Sequence, residues 1–155
     1  MKKRKIETKI YDIFIVTKMD NYYFYKNNVS PAEHFMQDMI YSANIVNVPK
    51  VYSYNNNILC MKRINALSIS DQYGENFENV PSHIINKIRD TIATLYLHGI
   101  EYPDITGYNF IYEENADKLW IIDFEHASYN SRHKEYDPFI LDFINGRNKW
   151  NPLFK

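Results

Sequence analysis

The first half of the chain alternates runs of β-branched and aromatic residues with polar turns. Residues 10–18 and 22–26 are rich in Ile, Val, Tyr and Phe, and their separation by a short polar turn predicts a β-hairpin. A second hairpin is predicted from residues 50–54 and 58–63, because three consecutive asparagines at 55–57 supply a turn. This half is therefore expected to contain a small antiparallel sheet.

Two helices are expected beside these strands. Ser30 followed by Pro31 is typical of an N-cap and first helical position, which predicts a helix that reaches about Ala43. A second helix is predicted from about Pro81 to Gly99, since apolar residues recur there at helical spacing. These apolar residues are Ile84, Ile88, Ile92 and Leu95. Their common stripe is expected to lie in the core.

The second half ends in a hairpin and a short helix. A polar stretch at 68–79 separates the sheet from the long helix and is predicted as a connection. Residues 110–112 and 119–122 predict two short strands, so that Asp123 follows directly after a strand. Residues 138–144 predict a final helix.

Composition and charge narrow the classes of protein. The 155 residues are 45% hydrophobic and 24% charged, which is typical of one folded domain or two small lobes that share a core. The net charge of -1 excludes a global field that attracts nucleic acid, so any polyanion site must be local. A single cysteine, Cys60, excludes an internal disulfide and a cysteine-based zinc site.

The sequence also bears on location and macromolecular partners. No apolar run reaches the length of a membrane span, so no membrane partner is expected and the chain is predicted to be cytoplasmic. Abundant Asn, Ile, Lys and Tyr are typical of AT-rich genomes such as those of some viruses, which would mean a host cytoplasm. The basic residues 2–5 favour a solvated tail, with nuclear targeting or phosphate contact as alternatives. Nucleic acid is not expected as a partner except through this tail.

Three polar side chains indicate chemistry. Asp104 and Asn109 lie five residues apart in one loop, and Asp123 follows a strand. Alone, an Asp and an Asn at this spacing are more often turn-capping residues. Together with Asp123 they match the needs of phosphoryl transfer, in which one carboxylate orients a hydroxyl while an amide oxygen and a second carboxylate hold magnesium.

The motifs around these residues resemble those of protein kinases. The sequence DITGYN at 104–109 resembles the catalytic loop D-x-x-x-x-N, and DFE at 123–125 resembles the metal motif D-F-G. The chain is most similar to the small atypical kinases of the RIO type and to the kinase subunit of the KEOPS tRNA-modification complex. This resemblance implies an α+β, reduced two-lobed protein kinase-like fold, with a small N-lobe at 1–66 and a truncated helical C-lobe at 67–155.

The resemblance also implies a nucleotide site. Lys26 is expected to steady the phosphates of ATP, with Glu33 on the next helix as its ion-pair partner, and Lys18 is a possible substitute for Lys26. The alternatives are a solvated charge at a strand end for Lys26 and a first-turn acid that favours the helix dipole for Glu33. The segment from Met61 to Ile64 is expected to form the hinge that meets adenine. An apolar floor is expected from Ile122, which precedes the metal motif.

The implied cofactors are ATP and Mg²⁺. In this assignment Asp104 orients the acceptor hydroxyl, while Asn109 and Asp123 hold the metal ion. Asp137 is similar to the aspartate that braces the catalytic loop of kinases. A protein substrate or protein partner is expected besides ATP.

Departures from the kinase pattern leave the activity open. No glycine precedes Gly74, so the usual Gly-rich phosphate loop is missing. Tyr102 stands where the catalytic-loop histidine is usual, so that the hydrogen bond of the histidine must be replaced or lost. The main expectation is an atypical serine/threonine kinase that transfers the γ-phosphate to a hydroxyl. The alternatives are an inactive pseudokinase that acts as a binding module or decoy of a host kinase and, because Glu125 replaces glycine, a small-molecule kinase of the choline or aminoglycoside type.

Overall fold

The computed structural model describes residues 21–130, Glu135 and residues 137–154. Within these residues it is an α+β fold, as predicted. In chain order the strands and helices are β1 (Tyr23–Lys26), α1 (Pro31–Ser42), β2 (Val51–Asn55), β3 (Ile58–Lys62), α2 (Ile69–Tyr73), α3 (Ser82–Leu97), β4 (Ile100–Glu101), β5 (Phe110–Glu113), β6 (Lys118–Ile121), β7 (Ser128–Tyr129) and α4 (Pro138–Ile144). Three 3₁₀ turns connect them, at Phe77–Asn79, Gly107–Asn109 and Glu114–Ala116.

The strands β1, β3 and β2 form an antiparallel sheet in that order, which we call the N-terminal sheet. The predicted hairpin of β2 and β3 is present. Its turn places Asn56 and Asn57 at φ values of 50° and 61°, a left-handed conformation that asparagine tolerates better than most residues. In the β1–β3 register, Lys26 lies opposite Leu59. The predicted strand at 10–18 lies outside the described residues.

Helix α1 begins and ends as its sequence indicates. Ser30 Oγ accepts a hydrogen bond from the Glu33 backbone N–H at 3.1 Å, and Pro31 occupies the first turn. The helix packs beside the N-terminal sheet, and the buried Gln37 side-chain amide donates to the Pro49 carbonyl at 2.9 Å. This bond fixes the connection between α1 and β2, so the orientation of α1 relative to the sheet is set by a buried polar contact.

The same connection also reaches the second half of the chain. The Asn47 carbonyl accepts a hydrogen bond from the Ile121 N–H at 3.0 Å. The Asn47 side-chain amide donates to the Leu119 carbonyl at 3.1 Å. Residue 47 therefore continues the hydrogen bonding of β6 on the edge that β5 leaves free.

The main core surrounds α3. The predicted apolar stripe is buried in full, with Ile84, Ile88, Ile92 and Leu95 all at most 1% exposed. Gly99, at φ 75°, follows the end of this helix, as predicted. The β5–β6 hairpin and α4 were also predicted, and both contribute buried residues to the same core.

No helix in the described part of the chain is long and apolar enough to cross a membrane.

Two features differ from the sequence-based expectation. The stretch predicted as a connection contains helix α2, which begins after the Ser68 cap and buries Ile69 completely. Five helical residues are too few for a helical period to be visible in the sequence, and one cap is a weak signal. The ladder between β4 and β7 has two residue pairs, which is also too short to produce an alternating pattern.

Helix α2 lies directly against the loop that carries the candidate chemistry. A Cβ atom added at Gly107 would overlap Ser70 Oγ and would lie 3.2 Å from Trp150 Cζ2. A side chain at position 107 would force Ser70 or the loop to shift, so glycine favours this close approach between α2 and the 104–109 loop.

Candidate active site

Lys26 connects three separate parts of the chain. Its Nζ atom lies 2.5 Å from Glu33 Oε1 on α1 and 2.9 Å from Asp123 Oδ1, two residues after β6. Glu33 is only 3% exposed, so its negative charge is compensated mainly inside the protein. The structure thus brings together Lys26, Glu33 and Asp123, whereas Lys18 lies outside the described residues.

The charge state of Lys26 follows from these contacts. Burial by itself lowers the pKa of the Lys26 ammonium, but the hydrogen bonds to Glu33 and Asp123 outweigh that effect and raise the pKa above its usual value. Lys26 therefore carries a positive charge at neutral pH. A fixed cation next to a partly exposed carboxylate is an arrangement that can hold phosphate oxygens and a metal ion side by side.

The segment from 104 to 109 is folded back on itself. The Asn109 side-chain amide donates to the Asp104 carbonyl at 3.0 Å, and the Asn109 carbonyl accepts from the Ile122 N–H at 2.9 Å. Because the amide nitrogen is engaged, the oxygen of the 7% exposed Asn109 side chain is left as its available metal ligand. The bond between Asn109 and Ile122 also connects this loop to the residue that precedes Asp123.

Asp104 has an unusual environment for a carboxyl group. Burial raises the pKa of the Asp104 carboxyl above its ordinary value, and a hydrogen bond from Asn109 opposes this in part. The negative charge of Asp123 raises the pKa further. A carboxylate with a raised pKa accepts a proton more readily, which suits a group that orients and deprotonates a hydroxyl.

Tyr102 holds the end of β6 in place. Its hydroxyl donates to the Ile122 carbonyl at 2.6 Å, and its ring is 1% exposed, with edge contacts to Phe110 and Phe124. Burial raises the pKa of Tyr102 well above its ordinary value, so the hydroxyl stays protonated and remains a donor. A hydrogen bond from position 102 to the residue before Asp123 is thus present with tyrosine in place of histidine.

Asp123 itself has a backbone conformation that is rare outside glycine. Its φ angle is 63°, in the left-handed region that aspartate visits more readily than most residues. The contacts at Ile122 and Lys26 hold it there. Backbone conformations of this kind concentrate at functional sites, where the surrounding structure imposes them.

The remaining predicted residues are Met61, Ile64 and Ile122. Met61 on β3 is 5% exposed, and its sulfur lies 3.5 Å from the Gln37 side-chain nitrogen of α1. Ile64, which follows β3, and Ile122, which precedes Asp123, are both half-buried. Their proposed contacts with adenine stay predictions.

Asn151 is a site-supporting residue that the sequence analysis did not identify. Its backbone N–H donates to the Ile105 carbonyl and its side-chain amide to the Pro103 carbonyl, each at 2.8 Å. The residue is 2% exposed. These bonds fix both neighbours of Asp104 from the C-terminal segment. A single asparagine before a proline gives no sequence signal for the contacts of Asn151.

Asp137 was compared in the sequence with the aspartate that braces the catalytic loop of kinases. In the structure its carboxylate accepts a hydrogen bond from the Phe139 N–H and caps α4.

We expect Asn151→Ala to lower the free energy of unfolding by about 1–3 kcal/mol, because the Pro103 carbonyl loses one of its two donors and the Leu153 N–H loses its acceptor. Asn145→Ala is the matched control, since the exposed Asn145 amide donates to a backbone carbonyl at a similar distance of 2.9 Å. The control is expected to change stability by less than about 0.5 kcal/mol. Urea denaturation measures both variants, and equal losses would contradict the assigned role of Asn151.

The pKa shifts predict opposite effects of two Asp→Asn changes. Asp104 has a raised pKa in the folded state, so its ionisation opposes folding at neutral pH, and Asp104→Asn should raise the melting temperature at pH 7. This gain should disappear as the pH falls below the ordinary range of aspartate. Hydrogen bonds from Tyr112 and Lys87 lower the pKa of Asp117, so Asp117→Asn should reduce stability at pH 7 and lose that effect at low pH. Thermal unfolding as a function of pH distinguishes the two signs.

A magnesium site at Asp123 and Asn109 is compatible with the side chains present. The described residues contain no group of three or more His, Cys, Asp or Glu placed to hold a metal ion. Mg²⁺ is commonly held by one or two protein oxygens together with water and phosphate oxygens, so it does not need a larger cluster. A carboxylate and an amide oxygen at the ends of one hairpin fit that requirement.

Comparison with known proteins identifies the family and the fold. A family model for the RIO domain matches residues 6–143. The fold is similar to that of the Cydia pomonella Granulovirus kinase PK-1, with a TM-score of 0.58 and 16% identity over 80% of this chain and 56% of that chain. It is also similar to the Rio2 kinase of Chaetomium thermophilum, solved as an ADP/Mg²⁺-phosphoaspartate complex, with a TM-score of 0.52 and 18% identity over 74% of this chain and 34% of that chain.

These two structures show the fold, and the alignments span only about half and one third of their lengths. The predicted reduced kinase-like fold is confirmed. Because the family model extends over most of the sequence, the chain belongs to the RIO domain family, within the atypical protein kinase-like superfamily.

Proposed function

We propose that the chain is an ATP- and Mg²⁺-dependent phosphotransferase of the atypical serine/threonine protein kinase type. The observation that carries this proposal is the double contact of Lys26 with Glu33 and Asp123. This contact joins β1, α1 and the end of β6 around a single cation. A purely structural lysine at a strand end does not require a nearly buried carboxylate and a second, partly exposed one.

The residues of the chain divide the work of phosphoryl transfer. Lys26 would hold phosphate oxygens, and Asp123 together with the Asn109 amide oxygen would hold Mg²⁺. Bound ATP would supply the transferable phosphoryl group, and Mg²⁺ would neutralise part of the negative charge on the phosphate oxygens. Asp104 would accept a hydrogen bond from the acceptor hydroxyl, orient it and take its proton. Most of the catalytic effect would come from this positioning.

The supports around Asp104 and Asp123 favour activity. Tyr102 bonds to the residue before Asp123 at 2.6 Å, and Asn151 bonds to both neighbours of Asp104 at 2.8 Å. Both residues are at most 2% exposed. The Rio2 structure in the comparison contains ADP and Mg²⁺, which supports the use of the same cofactors here.

One observation favours the second candidate, a pseudokinase that acts as a binding module. No glycine precedes Gly74, so backbone N–H groups of a Gly-rich loop cannot contribute to phosphate binding. A site without that contact would hold ATP more weakly. In this case the folded chain would act through a protein partner.

Calorimetry with ATP, in the presence and absence of Mg²⁺, tests the proposal together with a phosphate-transfer assay on protein acceptors. Magnesium-dependent ATP binding and transfer of labelled phosphate to serine or threonine are the expected results. Absence of ATP binding to the native chain would overturn the proposal in favour of the pseudokinase.

A further inference from the structure

The N-terminal sheet carries cations and aromatic rings in alternation. Lys50 Nζ lies 5.5 Å from the ring centroid of Tyr52. The Tyr52 ring in turn meets the ring of Tyr23 edge to face, with centroids 5.1 Å apart. Lys50 is exposed, so its ammonium group is accessible to solvent beside these rings.

The alternation continues across β3 to β6. Lys62 lies opposite Tyr23 in the β1–β3 register, and its Nζ is 5.2 Å from the ring centroid of Trp120. Lys118 Nζ lies 4.0 Å from the same ring. We call this set of contacting side chains the basic–aromatic stripe, which consists of Lys50, Tyr52, Tyr23, Lys62, Trp120 and Lys118. Trp120 is only 6% exposed, so its ring lies beneath the two lysines and offers little free surface.

The lysines of the stripe form no ion pair within the described residues, although Glu113 lies opposite Lys118 in the β5–β6 register. Neither 21–32 nor 44–70 contains an aspartate or a glutamate. The ion pairs of the described residues involve Lys26, Lys87, Arg147 and Lys149, and none involves a lysine of the stripe. The carboxylate of Glu113 accepts a hydrogen bond from the Trp120 indole and marks the acidic border of the stripe.

The middle of the stripe borders a concave site. A cavity of about 210 Å³ is lined by Tyr22, Tyr23, Tyr52, Lys62 and Arg63, together with asparagine side chains. Tyr22 is 63% exposed and Tyr52 is 48% exposed, so both rings present free surface. The cavity therefore combines cations, amide groups and aromatic rings, and its lining includes no carboxylate.

The stripe is separate from the active site. Tyr23 and Lys26 are three residues apart on β1, and side chains an odd number of positions apart point to opposite faces of a sheet. Lys26 faces Glu33 and Asp123. A ligand on the stripe would therefore lie on the opposite face of the sheet from the proposed nucleotide.

We propose that the basic–aromatic stripe is a docking surface for single-stranded nucleic acid. Lysines without an ion pair in the described residues attract a phosphate backbone, and exposed tyrosines offer faces on which unpaired bases stack. The positive charge of the lysines complements the negative charge of the phosphates. The exposed tyrosine rings favour a single strand over a duplex, because the bases of a duplex are already stacked on one another. This inference goes beyond the proposed phosphotransfer and does not depend on it.

Fluorescence anisotropy of the full chain with a short labelled oligouridine, between about 50 and 200 mM NaCl, tests this surface. The double variant Lys50→Gln/Lys62→Gln is expected to bind about tenfold more weakly and to reduce the salt slope by about 1.4, because two phosphate contacts are lost. Tyr52→Ala is expected to weaken binding about fivefold or more, whereas Tyr52→Phe keeps the ring and the affinity.

The matched control is Arg147→Gln/Lys149→Gln, which removes the same amount of charge. Arg147 and Lys149 are paired with Asp142 and Glu78 and do not belong to the stripe. The control is expected to bind oligouridine as the native chain does. Thermal unfolding of each variant verifies that the fold is kept.

Several outcomes would overturn this proposal. These are no binding by the native chain at low salt, equal losses in the stripe and control variants, an unchanged affinity after Tyr52→Ala, and tighter binding of the matching duplex. A failure of oligouridine binding would not affect the test of ATP binding, because the two experiments use different ligands and probe different faces of the sheet.

Discussion

Asp104→Ala is expected to slow phosphoryl transfer by about 10²–10⁴-fold, the usual contribution of a general base. The variant removes the carboxylate that the acceptor hydroxyl would meet, but it leaves Lys26 and Asp123 in contact with each other. Affinity for ATP–Mg²⁺ should therefore change little. Rates of phosphate transfer under single-turnover conditions, together with calorimetry of ATP binding, separate the two effects.

The control for this prediction is Asp142→Ala. Asp142 is a partly exposed aspartate on α4 whose carboxylate pairs with Arg147, and it has no role in the proposed site. Its transfer rate should match that of the native chain. Equal rates for native protein and Asp104→Ala would remove Asp104 from the mechanism, even if ATP binding were confirmed.

Asp123→Asn is expected to weaken ATP binding in the presence of Mg²⁺ by at least about 10–100-fold, a loss that follows even from changes next to a metal ligand. The substitution keeps the size of the side chain and replaces the charged metal ligand by a neutral amide. It also removes the negative charge that Lys26 contacts at 2.9 Å. Without Mg²⁺, the affinity of the variant for ATP should be equal to or above that of the native chain, because a negative charge near the phosphates is gone.

Calorimetric titration of both proteins with ATP, with Mg²⁺ and with EDTA, measures this difference. Asp142→Asn is the matched control, since it makes the same chemical change away from the site. A native chain whose ATP affinity is independent of Mg²⁺ would contradict the assignment of Asp123 as a metal ligand. An equal loss in Asp142→Asn would attribute the effect to stability.

Local signals in the sequence were sufficient for most of the fold. The Ser30 cap and Pro31 define the start of α1, and the asparagines at 56 and 57 form the turn between β2 and β3. The apolar stripe of α3 is long enough for its period to be visible. In each case the decisive residues lie within one element, so a single sequence contains the information.

The elements that the sequence did not indicate depend on partners far away along the chain. Helix α2 is held by burial of Ile69 and by the absence of a side chain at Gly107. Neither feature is apparent from the polar composition of the segment around α2. The contact of Asn151 with Pro103 spans 48 residues, and no periodicity or motif encodes it.

In the candidate site too, local sequence indicated some features, and others depend on contacts between distant parts of the chain. The motifs at 104–109 and 123–125 were recognisable, because the kinase resemblance rests on local spacing. The proximity of Lys26, Glu33 and Asp123 could only be inferred by analogy, since it joins residues 97 positions apart. The residue that replaces the histidine was identified, but its hydrogen bond to Ile122 required the structure.

The attachment of Asn47 to β6 limits how the site can open. Because residue 47 bonds to both Leu119 and Ile121, the connection between α1 and β2 cannot separate from β6 without breaking two hydrogen bonds. The Lys26–Asp123 contact is partly exposed and exchanges more easily with solvent or ligand. Separation of Lys26 from Asp123 on nucleotide entry would therefore leave the connection between α1 and β2 attached to β6.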